Sequence, residues 1–350
     1  MNYSDRLKKV NRNISRAGLD LLLVDKPSDI LYLTGFYTEG ALLLISAGGD
    51  SVYFIDRMNA DLAEKTLKGV PVGIVRGNIS TEFSGHLQKI GVGKVGFREE
   101  TLTVKTHSLL VRSVGRRTKV VPAPDIVGRM RVIKDDEEIM ALRIAAKETV
   151  KIWRKIRKII TPRMTEREIA SAIDICIRSR ECVNSFPTIV ASGRNSADPH
   201  AIPTLRRVAE GDHVLVDFGL MHRGYCSDLT RVWAKGRMNR KIAEFRKCVS
   251  AAHDIAVKMA APGVRVGSIV KAADKVLADS GYGGYICHSL GHGVGLDIHE
   301  PPFLRALSHE KLKKGMVITV EPGLYDPRSG GVRQEDMLLI TSKGCEVLTK

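Results

Sequence analysis

The feature that most constrains this chain is a pattern stated twice, about one hundred residues apart. Gly211-Asp-His-Val-Leu-Val-Asp217 and Gly315-Met-Val-Ile-Thr-Val-Glu321 each place a carboxylate six residues after a glycine, at the end of a β-branched apolar run that reads as a buried strand. Ahead of each run lies a pair of helical patterns. The first helix of one pair ends at Pro162 and that of the other, over Arg240 to Ala261, at Pro262; a short turn and a second helix follow, with Ile169 matching Ile269. Each half then carries a further carboxylate, Asp228 eleven residues after Asp217 and Glu335 fourteen after Glu321. Self-similarity at this spacing is the trace of an internal duplication. Two similar halves facing each other bring two carboxylate pairs to a common axis.

The chain has 350 residues, 43% hydrophobic and 27% charged, enough apolar content to fill two ordinary cores, which rules out a disordered chain or a disulfide-stapled miniprotein. Before the duplicated part, Tyr3 to Ala17 reads as an amphipathic helix, and Asp20 to Asp25, Ala41 to Ile45 and Ser51 to Ile55 read as buried strands, with further helix and strand signals to Val121. This gives an α/β domain over residues 1–130, punctuated at its end by Pro122 and Pro124. A second domain, 131–350, opens with a helix whose first turn is acidic (Ile133-Lys-Asp-Asp-Glu-Glu) and whose apolar positions Ile139, Leu142, Ala146, Val150, Trp153, Ile156 and Ile160 recur at helical spacing.

No apolar run approaches the ~20 residues of a membrane span, and Met1-Asn-Tyr-Ser-Asp-Arg-Leu-Lys-Lys9 lacks the apolar core of a secretory signal, so a cytoplasmic chain with no membrane partner is expected. The six cysteines contain no Cys-x-x-Cys and are expected to be reduced and mostly buried. Net charge is +16, but it is spread evenly: 19 basic against 13 acidic residues over 1–130, and 36 against 26 over 131–350. The densest basic cluster, Lys151 to Lys158, falls in the last turns of a helix, so no nucleic-acid partner is expected.

Asp217 closes a buried strand, where a carboxylate is costly unless paired, protonated or ligated. Asp228, in Tyr225-Cys-Ser-Asp-Leu-Thr-Arg231, lies on the return of a hairpin turning near Met221 to Gly224, so the two aspartates are expected side by side. The other half supplies His288-Ser-Leu-Gly-His292-Gly-Val-Gly, Glu321-Pro-Gly and Arg333-Gln-Glu335-Asp336. Two Asp, two Glu and one imidazole suit two divalent ions of the Mn, Co, Fe or Zn kind, whose charge four carboxylates neutralise. The glycines around His292 are expected to leave room for ions and substrate.

In the settings VDFG, YCSDLTR, HSLGHGVGLDIHEPP, TVEPGLY and GGVRQED, these residues resemble the ligand set of the pita-bread metallopeptidases, in the Xaa-Pro dipeptidase (prolidase) and aminopeptidase P branch. The resemblance covers essentially the whole chain. It implies an α/β (α+β) architecture: a creatinase-type N-terminal α/β domain, 1–130, and a pita-bread catalytic domain with internal pseudo-twofold duplication, 131–350. It implies Asp217, Asp228, His292, Glu321 and Glu335 as ligands of two divalent ions, Mn or Co first and Zn or Fe next. It also implies a homodimer, a proline-containing di- or oligopeptide substrate, and hydrolysis of the Xaa-Pro bond by a hydroxide shared between the ions. Dipeptides are the first expectation. Removal of the N-terminal residue from longer X-Pro peptides is the second, and a catalytically inactive binding protein a remote third.

By match to the family's motifs, His200 contacts substrate, His299 stabilises the developing oxyanion, Glu321 acts beside the nucleophilic water, and Arg333 orients the acidic cluster. His288 is a weaker candidate, for substrate binding or for structural support behind the site. The sequence departs from the family pattern at Arg194 and Asp198, which add charges near His200. It departs again at Phe303, where a cation for the proline carboxylate is expected; Arg305, two residues on, is the substitute candidate.

Overall fold

Val10 and Ile14, one turn apart, bury one face of helix α1 (Tyr3–Arg16), whose start is capped by the Asn2 side chain accepting from the Asp5 amide. In this computed structural model, which describes residues 1–76, 82, 84–87, 93–114 and 117–350, the chain divides into two compact units, Met1–Arg131 and Val132–Lys350. The short apolar runs of the first unit become β1 (Leu21–Val24), β2 (Leu42–Ser46), β3 (Ser51–Asp56), β4 (Val72–Val75), β5 (Lys94–Phe97) and β6 (Lys119–Pro122). They form one sheet in the order β4-β3-β2-β1-β5-β6. Antiparallel pairs join β1 to β2 and β2 to β3, while β3–β4, β1–β5 and β5–β6 are parallel. Helices α2 (Pro27–Thr34), α3 (Arg57–Thr66), α4 (Val104–Ser113) and α5 (Ile126–Arg131) belong to the same unit. Its core gathers Leu21, Leu23, Leu44, Phe54 and Val95.

The second unit begins with α6 (Asp136–Ile159) and α7 (Glu166–Arg178), each started by a capping box, Asp135 with Glu138 and Thr165 with Glu168. Strands β7 (Val183–Asn184), β8 (Ile189–Ser192), β9 (His213–Phe218), β10 (Leu220–His222), β11 (Tyr225–Cys226) and β12 (Leu229–Ala234) complete the first half. The second half repeats the plan with α8 (Arg240–Met259), α9 (Val266–Asp279), β13 (Gly291–Gly293), β14 (Glu300–Leu304), β15 (Val317–Val320), β16 (Gly323–Asp326), β17 (Gly330–Arg333), β18 (Asp336–Ile340) and β19 (Cys345–Val347). In one half β9 lies between β8 and β12; in the other β15 lies between β13 and β18. A two-strand hairpin links each central strand to its return strand, β10–β11 or β16–β17. The second hairpin is longer, which accounts for the wider spacing from Glu321 to Glu335. Each half packs its helix pair on its own sheet, through Ile156, Ile173 and Val216 in one and Phe245, Ile269 and Ile318 in the other.

The turn from His222 to Tyr225 passes through Arg223 and Gly224, both at positive φ (52° and 82°), the geometry of a tight hairpin. The cysteines differ from expectation. None is in a disulfide, but only Cys176 and Cys226 are buried; Cys182, Cys248 and Cys345 are half-buried, and Cys287, in the segment leading to β13, is exposed. Among the described residues no helix is long and apolar enough to cross a membrane.

Lys241 of α8 meets Asp326 at the end of β16 at 2.8 Å. Hydrogen bonding from Lys241, against the opposing effect of burial, holds the Asp326 carboxyl down at about 2. Because the folded value lies below the unfolded one of about 3.9, the bridge stabilises fully above that pH and is lost as pH falls toward 2. With the lysine partly solvated, the contribution of the bridge is modest. Asp326→Asn is expected to lower Tm by about 2–4 °C at pH 7, and the difference from wild type should vanish between pH 4 and pH 2 in thermal melts.

Candidate metal centre

Alternation along β9 and the antiparallel register bring the first two carboxylates together: Asp217 sits opposite Thr230 of β12, and Asp228 immediately precedes that strand. In the second half Glu321 follows β15 directly and Glu335 directly precedes β18. The duplication thus puts Asp217 and Glu321 at one matched place and Asp228 and Glu335 at the other. His292, on β13, joins them: ligand atoms of Asp228, His292 and Glu335 all lie within 4.8 Å of one another. His292 Nε2 is 3.6 Å from Asp228 Oδ2 and 3.3 Å from Glu321 Oε1. Its Nδ1 lies 3.0 Å from the Gly293 carbonyl, to which it donates, so Nε2 is the nitrogen that faces the carboxylates.

These residues form the floor of a cleft of about 680 Å³ whose walls include Phe186, Ile189, Ile202, Ile298 and Phe303. Among its described lining residues Arg333 is the one guanidinium. It is fully engaged, donating to Asp217 Oδ2 at 2.6 Å, Tyr325 Oη at 2.6 Å, Thr230 Oγ1 at 3.0 Å and the Pro199 carbonyl at 3.3 Å. Thr230 in turn donates to Glu335 Oε2 at 2.8 Å. One guanidinium against four carboxylates, three buried and Glu321 partly so, leaves a deficit. Burial first, then the charges of Glu335, Asp217 and Glu321, push Asp228 well above the ordinary carboxylate range. Glu335 is raised as strongly, by burial and then by Glu321 and Asp217. Asp217 is raised by burial despite Arg333. Glu321 is the exception: burial acts upward, but the His292 hydrogen bond and the neighbouring His292, His288 and Arg333 charges bring it below its usual value. Asp217 Oδ1 is buried without a hydrogen-bond partner among the described residues. An orphaned carboxylate oxygen beside an ordered imidazole and three further carboxylates fits divalent cations, which need oxygen-rich donors.

His299 packs edge-on against His292, ring centroids 4.3 Å apart, and burial followed by the His292 charge holds its pKa below the usual histidine value. His200 lines the cleft from an exposed position, its amide donating to Asp198 Oδ1 at 2.9 Å, so the departure at Asp198 shapes the turn carrying this histidine. His288 lines the cleft too, with Nε2 2.8 Å from Tyr325 Oη, and is therefore tied to Arg333 through that hydroxyl. Arg305 is not among the cleft's lining residues. Its side chain is exposed and lies over the Phe303 ring at 5.2 Å, and Phe303 supplies the wall instead. The glycines beside His292 serve a different purpose from the expected one. A Cβ on Gly291 would collide with the Thr319 carbonyl and one on Gly293 with the Pro301 carbonyl, so their bareness lets neighbouring strands close in rather than making room for ions. Thr230, Thr319 and Tyr325 were missed from the sequence. Thr319 accepts from the His292 amide at 3.0 Å, and a threonine two residues before Glu321, on the same face of an apolar strand, was the available signal.

The sequence profile of metallopeptidase family M24 matches residues 140–342, and that of the creatinase/prolidase N-terminal domain matches residues 6–133. The chain belongs to metallopeptidase family M24. It is 32% identical to the Xaa-Pro dipeptidase of Pyrococcus furiosus over 348 residues, 99% of this chain and 98% of that one. Its structure resembles that of an Xaa-Pro dipeptidase from Bacillus anthracis with a TM-score of 0.95 at 32% identity, covering 100% and 98% of the two chains. It also resembles an X-Pro aminopeptidase from Thermotoga maritima with a TM-score of 0.88 at 29% identity, covering 97% of each.

For an M24 chain with this charge deficit, cation removal should protonate the cluster. Metal uptake is therefore expected to release protons and to weaken as pH falls, because cations compete with protons for Asp228 and Glu335. Asp228→Asn and Glu335→Gln should melt no lower than wild type in EDTA, having lost a like-charge repulsion, yet gain less Tm than wild type on adding Mn²⁺. Thermal melts with and without chelator, alongside calorimetric proton release in two buffers, check both signs.

Proposed function

We propose that this M24 chain hydrolyses the peptide bond preceding proline, in Xaa-Pro dipeptides first, with two divalent ions, manganese or cobalt, held by Asp217, Asp228, His292, Glu321 and Glu335. The observation that carries the reading is the orphaned Asp217 oxygen in a cluster of four carboxylates with one guanidinium, on the floor of an open cleft. The relatives named Xaa-Pro dipeptidase support the substrate class. The Xaa-Pro nitrogen is tertiary and lacks N–H, so a site that makes no demand on that hydrogen has the advantage over proteases that read it.

Bound divalent ions supply Lewis acidity and an activated water. The protein's own groups do the rest. Glu321, the carboxylate held low by His292, is the proton acceptor beside the scissile carbonyl. His299, kept neutral at pH 7 by burial, hydrogen-bonds the oxyanion that develops on that carbonyl. His200 orients substrate from the rim, and Arg333 fixes Asp217 while Tyr325 relays that order to His288. The apolar wall of Phe186, Ile189, Ile202, Ile298 and Phe303 suits the proline ring and its neighbour.

One observation favours a second reading, removal of the N-terminal residue from longer X-Pro peptides. A dipeptide's terminal carboxylate calls for a cation, and Arg333 is committed while Phe303 occupies the wall near Arg305. The resemblance further supports a homodimer, and six cysteines with no disulfide among them a reducing, cytoplasmic setting.

Chelated enzyme resupplied with one metal at a time should cleave Ala-Pro and Met-Pro; fewer than about one metal per active chain by elemental analysis would exclude the dinuclear reading. His299→Ala is expected to keep its metals while losing on the order of 10² to 10³ in kcat. Ala-Pro-Xaa cut as fast as Ala-Pro, with dipeptide KM unmoved by Arg305→Ala, would favour the aminopeptidase.

A further inference from the structure

We infer that Glu166, at the start of α7, is a positioning residue that clamps the two stems of the His200 segment and so sets where that histidine meets substrate. This rests on the reading of His200 given above. Glu166 is fully buried, and its carboxylate is filled by donors from both sides of His200. Oε1 accepts from the Ser192 amide at 2.7 Å and the Ser192 hydroxyl at 2.8 Å. Oε2 accepts from the Thr204 amide at 3.0 Å and the Thr204 hydroxyl at 2.6 Å. Asn195 Nδ2 spans both oxygens, at 3.1 and 3.2 Å. Burial alone would raise this carboxyl, yet the Thr204 and Ser192 hydrogen bonds carry it below its usual value, so the clamp is an ionised one.

The duplication supplies the control. The backbone joint between the second helix of each half and the segment following the histidine is made twice. Thr165 bridges Arg207 and Arg265 bridges Lys311; the Glu166 amide donates to the Arg206 carbonyl at 3.1 Å and the Val266 amide to the Glu310 carbonyl at 2.8 Å. The matched residue is therefore glutamate in one half and valine in the other, and the joint forms with either. The buried carboxylate is not what that joint requires. What the first half has in addition is a segment from Ser192 to Thr204 held at both stems, with His200 between them. Between the stems the segment is also tied to the strands that carry Arg333 and Asp217: Arg333 donates to the Pro199 carbonyl at 3.3 Å, and the Ser196 hydroxyl accepts from the Gly331 amide at 2.8 Å and lies 2.8 Å from His213 Nε2.

Glu166→Gln keeps the shape but turns one acceptor oxygen into an NH₂ facing donors. Metal content by elemental analysis and Mn²⁺ affinity should be unchanged. Because a misplacement of about 1 Å can cost on the order of 10²-fold, kcat/KM on Ala-Pro should fall about tenfold to a hundredfold, chiefly in kcat. In a His200→Ala background the same substitution should change kcat by less than about twofold. Additive losses in the double variant, or loss of metal from Glu166→Gln, would overturn the inference and make Glu166 a structural support. If Glu166→Gln does not fold, Asn195→Ala and Thr204→Val, which each remove donors from the clamp, must show the same non-additivity with His200→Ala, and additivity there overturns it equally. An unchanged kcat in His200→Ala alone would instead overturn the reading of His200, and this inference with it.

Discussion

Four carboxylates, three of them buried and Glu321 nearly so, gathered around a single guanidinium set the terms on which the second unit is built. Ionised together in a low-dielectric interior they repel one another, and of the four only Asp217 is bonded directly by Arg333. A site so far from electrical balance holds its shape only if its backbone is fixed by forces that do not depend on it. The two cores supply that, each formed by a helix pair on a sheet. The carboxylates stand at strand ends, where the ladders fix the main chain but leave the side chains directed at the cleft floor. Behind Glu335 a second network does the same: Arg231 bonds the Glu335 carbonyl and meets Asp336 at 2.6 Å, and Thr349 donates to Asp336 at 2.7 Å.

The N-terminal unit offers an internal contrast. Asp29 is equally buried, but Arg131 lies 2.6 Å from one of its oxygens and Arg98 3.5 Å from the other, with Arg98 also 2.9 Å from Asp125. Both Asp29 oxygens thus have a protein partner, which is how a carboxylate that serves the fold is accommodated. At Asp217 one oxygen has none among the described residues. The same chain thus contains a completed acidic pair and an uncompleted one. The uncompleted one lies open to a cleft, and this difference separates an architectural carboxylate from one awaiting a cation.

What was legible in the sequence followed from local rules. Apolar period, the proline stops at Pro162 and Pro262, and the matched carboxylates exposed the duplication, because strand and helix periods are written residue by residue. Contacts between elements far apart in the chain were not legible. The tie from Tyr325 to both Arg333 and His288 joins residues from separate strands and loops, and nothing in Gly-Leu-Tyr marks the hydroxyl for that task. Gly291 and Gly293 were visible as glycines, but whether a missing Cβ admits an ion or a neighbouring strand depends on packing that only the fold defines. Arg305 was drawn in by its chemistry and set aside by geometry, since two residues along a strand and its exit are enough to move a guanidinium from the cleft wall to the surface.

Departures from the internal symmetry mark where the chemistry is made. The register pairs Ser192 with Val214 in one half and Gly293 with Ile318 in the other, so His292 falls at the place held by Ala191. An imidazole on one side only makes the donor set unequal: Asp228 and Glu335 face a nitrogen donor, while Asp217 faces a guanidinium. Glu166 opposite Val266 is the converse departure, on the side that lacks the imidazole. One half thus adds a ligand where the other adds a clamp. A symmetric scaffold can bring paired carboxylates to an axis, but it cannot by itself tell the two ends of a peptide apart. That distinction has to come from residues that break the repeat, as His292 and Glu166 do.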